Sequence, residues 1–483
     1  HMVLQRRAKI VCTLGPATAS AERIGALIDA GMNVARINLS HGDRREHEEL
    51  VHHVRTESIK RGLHVALLAD LQGPKIRLGK FVEGTHELAQ GSNFVITMDE
   101  IIGNNSRAST TYKGLARDCT AGDILLIDDG KVRLQVSKIE SNDIHTVVRT
   151  GGLISNNKGI NAPGSSLSVP ALSEKDVADL EWALGAGVDI IALSFVRTAD
   201  DIRGVHAVMD RFNVRIPVIA KIEKPQAVSN LDEIVGAFDG LMVARGDLGV
   251  ELPIEEVPLV QKKCIIAARE NAKPVIVATQ MLESMISLPT PTRAEATDCA
   301  NAILDGADAL MLSGETSVGK YPIEAVAMMS RIIAKIEEEA LAQVAPLRHT
   351  PHSKSGAITK AAAEVGAVVG ARFLVAFTQS GDSARRMARL RSEIPILALT
   401  PEIGTAHQLA LSWGVEPMVI PSAKHTDEMV KQIDSALLDT ARAAIGDYIV
   451  IVAGSPPGIP GSTNAMRVHR IGDAVGGVAP AYR

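Results

Sequence analysis

Short β-branched runs alternate with amphipathic stretches along most of this chain, so the period of the apolar positions switches between two and about 3.6 residues. Residues 8–13 read as a strand. Residues 21–30 read as a helix, with Ser20 as N-cap and Gly31 as its stop. Strands at 33–38 and 65–70 flank a charged helix over 43–60. Over 71–168 the rhythm changes. Gly, Asn, Ser and Thr become frequent, and alternating runs at 93–98, 124–127, 131–139 and 144–149 predict an antiparallel sheet. Asp128-Asp129-Gly130 supplies a hairpin turn.

Beyond residue 168 the helix–strand alternation resumes. Strands are predicted at 189–195, 217–223, 240–245, 274–279 and 309–313, with helices at 174–184, 199–212, 226–236, 254–271 and 293–305 between them. With the three earlier strands this makes eight. Eight strands with intervening helices, interrupted once, predict a (β/α)8 TIM barrel closed by a helix over 323–342. After a linker at 344–355, helices at 358–369, 384–391, 405–413 and 427–444 and strands at 373–378, 396–400 and 448–453 predict a smaller open α/β unit. The expected organisation is therefore an α/β protein: a barrel from residues 1–70 and 169–345, an inserted antiparallel β lid over 71–168, and a C-terminal α/β regulatory domain over 346–483.

The 483 residues are enough for such a multi-domain arrangement. Aromatics are only 3% of the chain, so aliphatic side chains must fill the cores. No apolar run is long enough to span a bilayer, and no segment has the pattern of a secretion signal. Cys12, Cys119, Cys264 and Cys299 are far apart, which argues against a zinc site or a disulfide framework and fits the cytoplasm. The formal charge of −5 argues against a general nucleic-acid surface.

Barrel chemistry gathers at the C-terminal ends of the strands. Those positions here carry Arg36, Asn38 and Ser40, then Asp70, then Ser194 and Arg197, then Lys221 and Glu223, then Arg245 to Asp247, then Thr279 and Gln280, and last Ser313 and Glu315. Strand periodicity turns Lys221 and Glu223 the same way, and likewise Arg36 with Asn38 and Arg245 with Asp247. A single charged residue at a strand end is usually the start of a solvated loop. Three cations, Arg36, Lys221 and Arg245, near three carboxylates, Asp70, Glu223 and Asp247, suit an anionic substrate held by a hard divalent cation. The turn at Gly246 offers backbone N–H groups to a carboxylate or phosphate.

The segments carrying these residues, Cys12-Thr13-Leu14-Gly15-Pro16, Ala35-Arg36-Ile37-Asn38-Leu39-Ser40-His41-Gly42, Ala220-Lys221-Ile222-Glu223, Met242 to Gly249, Ala278 to Ser284 and Met311 to Thr316, resemble the pyruvate kinases in order and spacing over essentially the full length. The resemblance implies a phosphotransferase of glycolysis that passes the phosphoryl group of phosphoenolpyruvate to ADP, giving pyruvate and ATP. It implies Lys221, Arg36 and Thr279 as catalytic residues. Arg36, Lys221, Gly246, Asp247, Thr279, Ser313 and Glu315 bind substrate, and Glu223 and Asp247 hold Mg²⁺, with Mn²⁺ as a substitute. Asn38, Ser40, His41, Arg77 and Lys158 contact the nucleotide, the last from a closing lid. A homotetramer is implied as well. Many relatives need K⁺ and carry a Glu where this chain has Lys75. With Leu71, Gln72 and Leu78 around it, Lys75 resembles the K⁺-independent branch of bacterial enzymes, its ammonium replacing the ion near Asn38, Ser40 and Asp70.

In this family the last domain binds an activator. Thr378, Gln379, Ser380, Gly381, Asp382 and Ser383 form a hydroxyl-rich turn at a helix start, and Gly458, Gly461 and Ser462 lie in a Gly/Pro/Ser-rich loop over 454–463. Asp382 puts a negative charge in that turn, for Arg385 and Arg386 to offset. A sugar monophosphate or nucleotide monophosphate is the expected effector. Two rival readings exist. A barrel lyase or mutase acting on a related acid leaves Arg77, Lys158 and the insertion unexplained. A metabolite sensor without catalysis leaves Lys221, Glu223, Asp247 and Thr279 unexplained.

Overall fold

The computed structural model describes residues 6–165, 167–454, 457 and 463–474. Eight parallel strands, Lys9–Thr13, Val34–Asn38, Ala66–Asp70, Ile190–Leu193, Val218–Ile222, Gly240–Ala244, Val275–Ala278 and Ala309–Leu312, close in sequence order, the first pairing with both the second and the eighth. Alternate side chains fill the barrel interior, among them Val11, Leu68, Ile219, Met242, Ile276 and Met311. The other set, including Ile10, Leu67, Ile222 and Val243, packs under the helices. Burial on both faces is why these strands read as nearly continuous apolar runs. The first helix, Ala21–Ala30, is capped as expected. The Ser20 side chain accepts from Arg23 N, and Gly31 ends the helix at φ 129°, a conformation open to glycine.

The insertion forms a six-stranded sheet, in the order Ile160–Asn161, Ile124–Ile127, Val132–Glu140, Asp143–Thr150, Asn93–Thr97 and Arg107–Ser109, with a small pair of His86–Leu88 and Gly152–Ile154 beside it. Asp128 and Asp129 both adopt left-handed φ values, 53° and 55°, at the expected hairpin turn. The sheet departs from the expected antiparallel pattern at one edge, where Asn93–Thr97 pairs parallel with Arg107–Ser109.

The C-terminal sheet runs Val415–Val419, Ile396–Thr400, Phe373–Phe377, Tyr448–Gly454, Thr463–Arg470, the last pair antiparallel. Its two edge strands carry little sequence signal. One contains Pro417, which only an edge tolerates, and the other exposes most of its residues. The helix predicted at 226–236 is two, Pro225–Ser229 and Leu231–Ala237, because the Asn230 side chain leaves the helix pattern to donate to Arg197 O at 2.9 Å. The one predicted at 254–271 opens as a short 3-10 turn, Ile254–Glu256, before Val257–Glu270, whose second residue is a proline. Among the described residues no helix is long and apolar enough to cross a membrane.

Candidate active site

Closure of the barrel brings the ends of the second, third and fifth strands together around one carboxylate. Arg36 Nε lies 2.8 Å from Asp70 Oδ2, and Arg36 Nη1 donates to Thr13 Oγ1 at 2.9 Å. Lys221 Nζ lies 3.2 Å from the same Asp70 oxygen and 3.6 Å from Glu223 Oε1. Ser194 Oγ donates to Leu71 O at 2.7 Å and reaches Asp70 Oδ1 at 3.3 Å. Asp70 is buried; burial works against its charge, but Lys221 and Arg36 outweigh it and hold the carboxyl below the usual range. Burial likewise opposes the Lys221 ammonium, and Asp70 and Glu223 outweigh it, keeping the lysine above its ordinary value. The lysine is thus held charged in a site almost shut off from water.

Glu223 is buried as well, and burial pushes its carboxyl up to about 7; Lys221 opposes the rise and Asp247 adds to it. Its Oε2 accepts from Phe195 N at 2.6 Å. Asp247 lines a cavity between lid and barrel with Lys75, Asn161, Phe195 and Lys224. Two carboxylates offering oxygen donors only fit a hard divalent cation that takes its remaining ligands from substrate and water. Among the described residues no group of three or more His, Cys, Asp or Glu gathers for a metal.

Backbone strain collects at the same mouth. Phe195, Thr279 and Gln280 have φ values of 58°, 72° and 57°. For Thr279, which is β-branched, this is a costly conformation, of the kind found at functional sites. It aims Thr279 Oγ1 at Gly246 N, 2.7 Å away. The expected donor Gly246 N–H is therefore engaged by the neighbouring strand end.

Arg245 departs from expectation. It is the first residue of the helix Arg245–Glu251, so residues 245 and 247 diverge rather than share a face. Its guanidinium turns away, to Asp298 Oδ1 at 2.7 Å and Thr279 O at 2.7 Å. Glu315 is fully buried, and its two oxygens accept from Leu282 N and Ser313 N, both at 3.0 Å. It ties the loops after the seventh and eighth strands together instead of facing the cavity. Ser313 Oγ is buried with no hydrogen-bond partner among the described residues.

The nucleotide-side candidates lie along the junction with the lid. Asn38 Oδ1 accepts from Ser40 N at 3.1 Å, and His41 O accepts from His47 Nε2 at 2.7 Å. Arg77 Nη1 donates to Asn157 O at 3.1 Å, and Lys158 Nζ stands 3.8 Å from Asp128 Oδ1. The Lys75 side chain lies against Gly159 and forms no ion pair or hydrogen bond among the described residues. It does not pair with Asp70, which Arg36 and Lys221 already hold.

The expected effector turn is well formed. Thr378 Oγ1 accepts from Gly381 N at 2.9 Å, Gln379 O accepts from Thr405 Oγ1 at 2.6 Å, and Asp382 N donates to Ser380 Oγ at 3.3 Å. Arg386 pairs with Asp382 at 2.8 Å, and Ser383 hydrogen-bonds Thr463. Arg385 turns to Ser380 O instead. Gly458, Gly461 and Ser462 lie outside the described residues.

One feature of the site escapes sequence reasoning. Glu251, with its side chain only 1% exposed, accepts from Asn161 Nδ2 of the lid at 2.8 Å and pairs with Lys224 Nζ at 3.1 Å. A glutamate amid Gly249, Val250 and Leu252 was the available signal, since a buried carboxylate needs partners.

A family model for the pyruvate kinase barrel domain matches residues 5–326, and one for the pyruvate kinase alpha/beta domain matches residues 356–469. The pyruvate kinase of Mycobacterium tuberculosis is 57% identical over 470 residues, covering 97% of this chain and 99% of that protein. That of Corynebacterium efficiens is 55% identical over 470 residues with the same coverage. The crystal structure of a pyruvate kinase from Cryptosporidium parvum, 35% identical, overlays with a TM-score of 0.89 across 96% of each chain. Matching models over both the barrel and the C-terminal unit, with relatives this similar across nearly the whole length, establish that the chain belongs to the pyruvate kinase family and is a phosphotransferase.

Proposed function

We propose that the barrel mouth transfers the phosphoryl group of phosphoenolpyruvate to ADP, giving pyruvate and ATP as the last step of glycolysis in the cytoplasm. The observation that carries this reading is the convergence of Arg36 and Lys221 on Asp70, with Glu223 on the other side of the Lys221 ammonium. Arg36 and Lys221 grip the phosphoryl group from two sides. A β-phosphate oxygen of ADP attacks phosphorus, the bond to the enol oxygen breaks, and the enolate takes a proton at carbon beside Thr279. Such a transfer asks the protein for position and countercharge rather than covalent chemistry. Glu223 and Asp247 hold Mg²⁺, or Mn²⁺ in its place. When bound, that ion supplies charge neutralisation to the substrate's carboxylate and phosphoryl oxygens. Ser313, Gly246 and the backbone N–H of Asp247 border the substrate, with Glu315 holding the loop of Ser313 in place. Asn38, Ser40, His41, Arg77 and Lys158 take the nucleotide. The Asn161–Glu251–Lys224 contact fastens the lid so that water is kept from the phosphoryl group. ADP-dependent pyruvate formation, coupled to lactate dehydrogenase, tests the reading; no pyruvate with ADP, Mg²⁺ and phosphoenolpyruvate all present would reject it.

K⁺ is not required in this reading, because Lys75 brings its own fixed positive charge to the junction. Rates in sodium-only and potassium buffers should agree within about twofold, well under the tenfold that about 1.4 kcal/mol would produce. Severalfold stimulation by KCl would show that an ion still has work to do there. The turn Thr378–Ser383, with the loop carrying Gly458, Gly461 and Ser462, receives the phosphate of an activating sugar monophosphate or nucleotide monophosphate. The supporting feature is the ring of hydroxyl and backbone groups at that helix start, with Arg386 offsetting Asp382. The phosphoenolpyruvate concentration at half-maximal rate should fall with glucose 6-phosphate, ribose 5-phosphate or AMP, and less with fructose 1,6-bisphosphate. Unmoved curves with all four would remove the effector site. The protein assembles as a homotetramer in this reading.

A further inference from the structure

Charge is concentrated a second time at the other end of the barrel, where it meets the C-terminal unit. Arg269, near the end of the helix Val257–Glu270, and Arg389 and Arg391, just after the helix Asp382–Ala388, line one small cavity with Arg385, Lys273, Asp308 and Ser412. The three arginines are nearly shut off from solvent, at 3%, 5% and 7% exposed. Arg391 also holds a left-handed φ of 54° to reach this place.

Five of their six terminal nitrogens have partners. Arg269 donates to Ala345 O and Arg389 O, Arg389 to Glu270 O, and Arg391 to Ala388 O, Gly306 O and Asp308 Oδ1. Arg269 Nε, Arg389 Nε, Arg391 Nε and Ser412 Oγ are a different matter. All four are buried and meet no hydrogen-bond partner among the described residues. Leaving such groups unmatched is expensive. The cavity has room for a single water-sized occupant. A water accepts two hydrogen bonds and cancels no charge. Five cations line this cavity against one carboxylate, Asp308, and the nearby Asp382 is taken by Arg386. Burial pushes the Arg269 guanidinium down to about 9, repulsion from Arg391 adds to the fall, and only Asp308 opposes it. Asp239 offsets Arg385 and Lys273 from outside the cavity, and Glu337 acts on Arg391, but Asp308 is the one carboxylate in its lining and sits against three buried arginines.

We propose that this cavity is a binding site for a small monovalent inorganic anion, chloride in particular, coordinated by the Nε–H groups of Arg269, Arg389 and Arg391 and the hydroxyl of Ser412. A spherical anion accepts from several directions at once and supplies the charge the seam lacks. The ion then binds the barrel to the C-terminal unit and has no part in the chemistry at the other end.

The full-length protein, dialysed into sodium gluconate, is titrated with sodium chloride or sodium bromide at constant ionic strength while its thermal unfolding is followed. Gluconate is too large for the cavity. The expected result is a saturable rise in unfolding temperature of about 1–2 °C with either halide, the size a roughly tenfold excess over the dissociation constant produces. Arg389→Met should abolish the rise. Should that variant fold poorly, Ser412→Ala should fold and require about tenfold more halide for half the effect, the worth of one hydrogen bond to a charged group. Crystals grown in bromide should give an anomalous peak within this cavity. The proposal is overturned if the parent shows no saturable halide-specific rise, or if the bromide peak is absent from this cavity.

Discussion

Lys221→Met is expected to lower kcat by about 10²- to 10⁴-fold, the rate equivalent of about 3–5 kcal/mol of lost transition-state stabilisation. Its ammonium stands 3.2 Å from Asp70 and 3.6 Å from Glu223, almost out of water, where a fixed charge acts on its neighbours with little screening. Methionine keeps most of the side chain's length and removes only the charge. Arg36 stays in place to hold Asp70, so the mouth should keep its shape. The Michaelis constant for phosphoenolpyruvate should therefore change by less than about tenfold, since ground-state grip is shared with Arg36 while the charge that develops in flight is met chiefly by the lysine. Coupled pyruvate formation reads both parameters. A folded Lys221→Met protein with kcat within tenfold of the parent would take the central role away from this residue.

The largest loss of stability is expected from Asp308→Ala. This carboxylate accepts from Val275 N at 3.1 Å, from Trp413 N at 3.0 Å and from Arg391 Nη2 at 3.1 Å, and so fastens the seventh and eighth strands to the C-terminal unit. It is buried, and so is its arginine partner. Removing one member of such a pair leaves the other uncompensated and costs about 3–5 kcal/mol. In a protein of this size the first unfolding transition should fall by about 3–5 °C. Asp308→Asn should not rescue it fully, because an amide presents a donor where the carboxylate accepts at both oxygens. Calorimetry of the two variants measures the effect, and a midpoint within a degree of the parent would show that the seam does not depend on this carboxylate. At 25 °C the folded fraction should keep a near-parental kcat, since the residue lies at the far end of the barrel from Lys221.

The two expectations differ in how visible they were beforehand. Lys221 stands at a strand end beside Glu223, two residues on, and strand geometry alone turns both the same way. The alternation of apolar runs made the eight strands and their closure legible, because each buried strand announces itself within a few residues. The capped helix Ala21–Ala30 and the Asp128-Asp129-Gly130 turn were legible for the same reason: their physics is local. The edge strands Val415–Val419 and Thr463–Arg470 were not, since an edge needs neither continuous burial nor a full ladder and so leaves a weak pattern.

What periodicity settled, then, was the architecture of the barrel. Which side chains meet at its mouth was settled by closure of the barrel. Asp70 gathers Arg36 from 34 residues away and Lys221 from 151 residues away, and no local pattern encodes contacts at such separations. The same folding step withdrew two candidates. Arg245 begins a helix instead of ending a strand and is captured by Asp298, while Glu315 spends both oxygens on backbone N–H groups inside the protein. A buried charge goes wherever a partner satisfies it, and partners are distributed by three-dimensional packing, not by spacing along the chain.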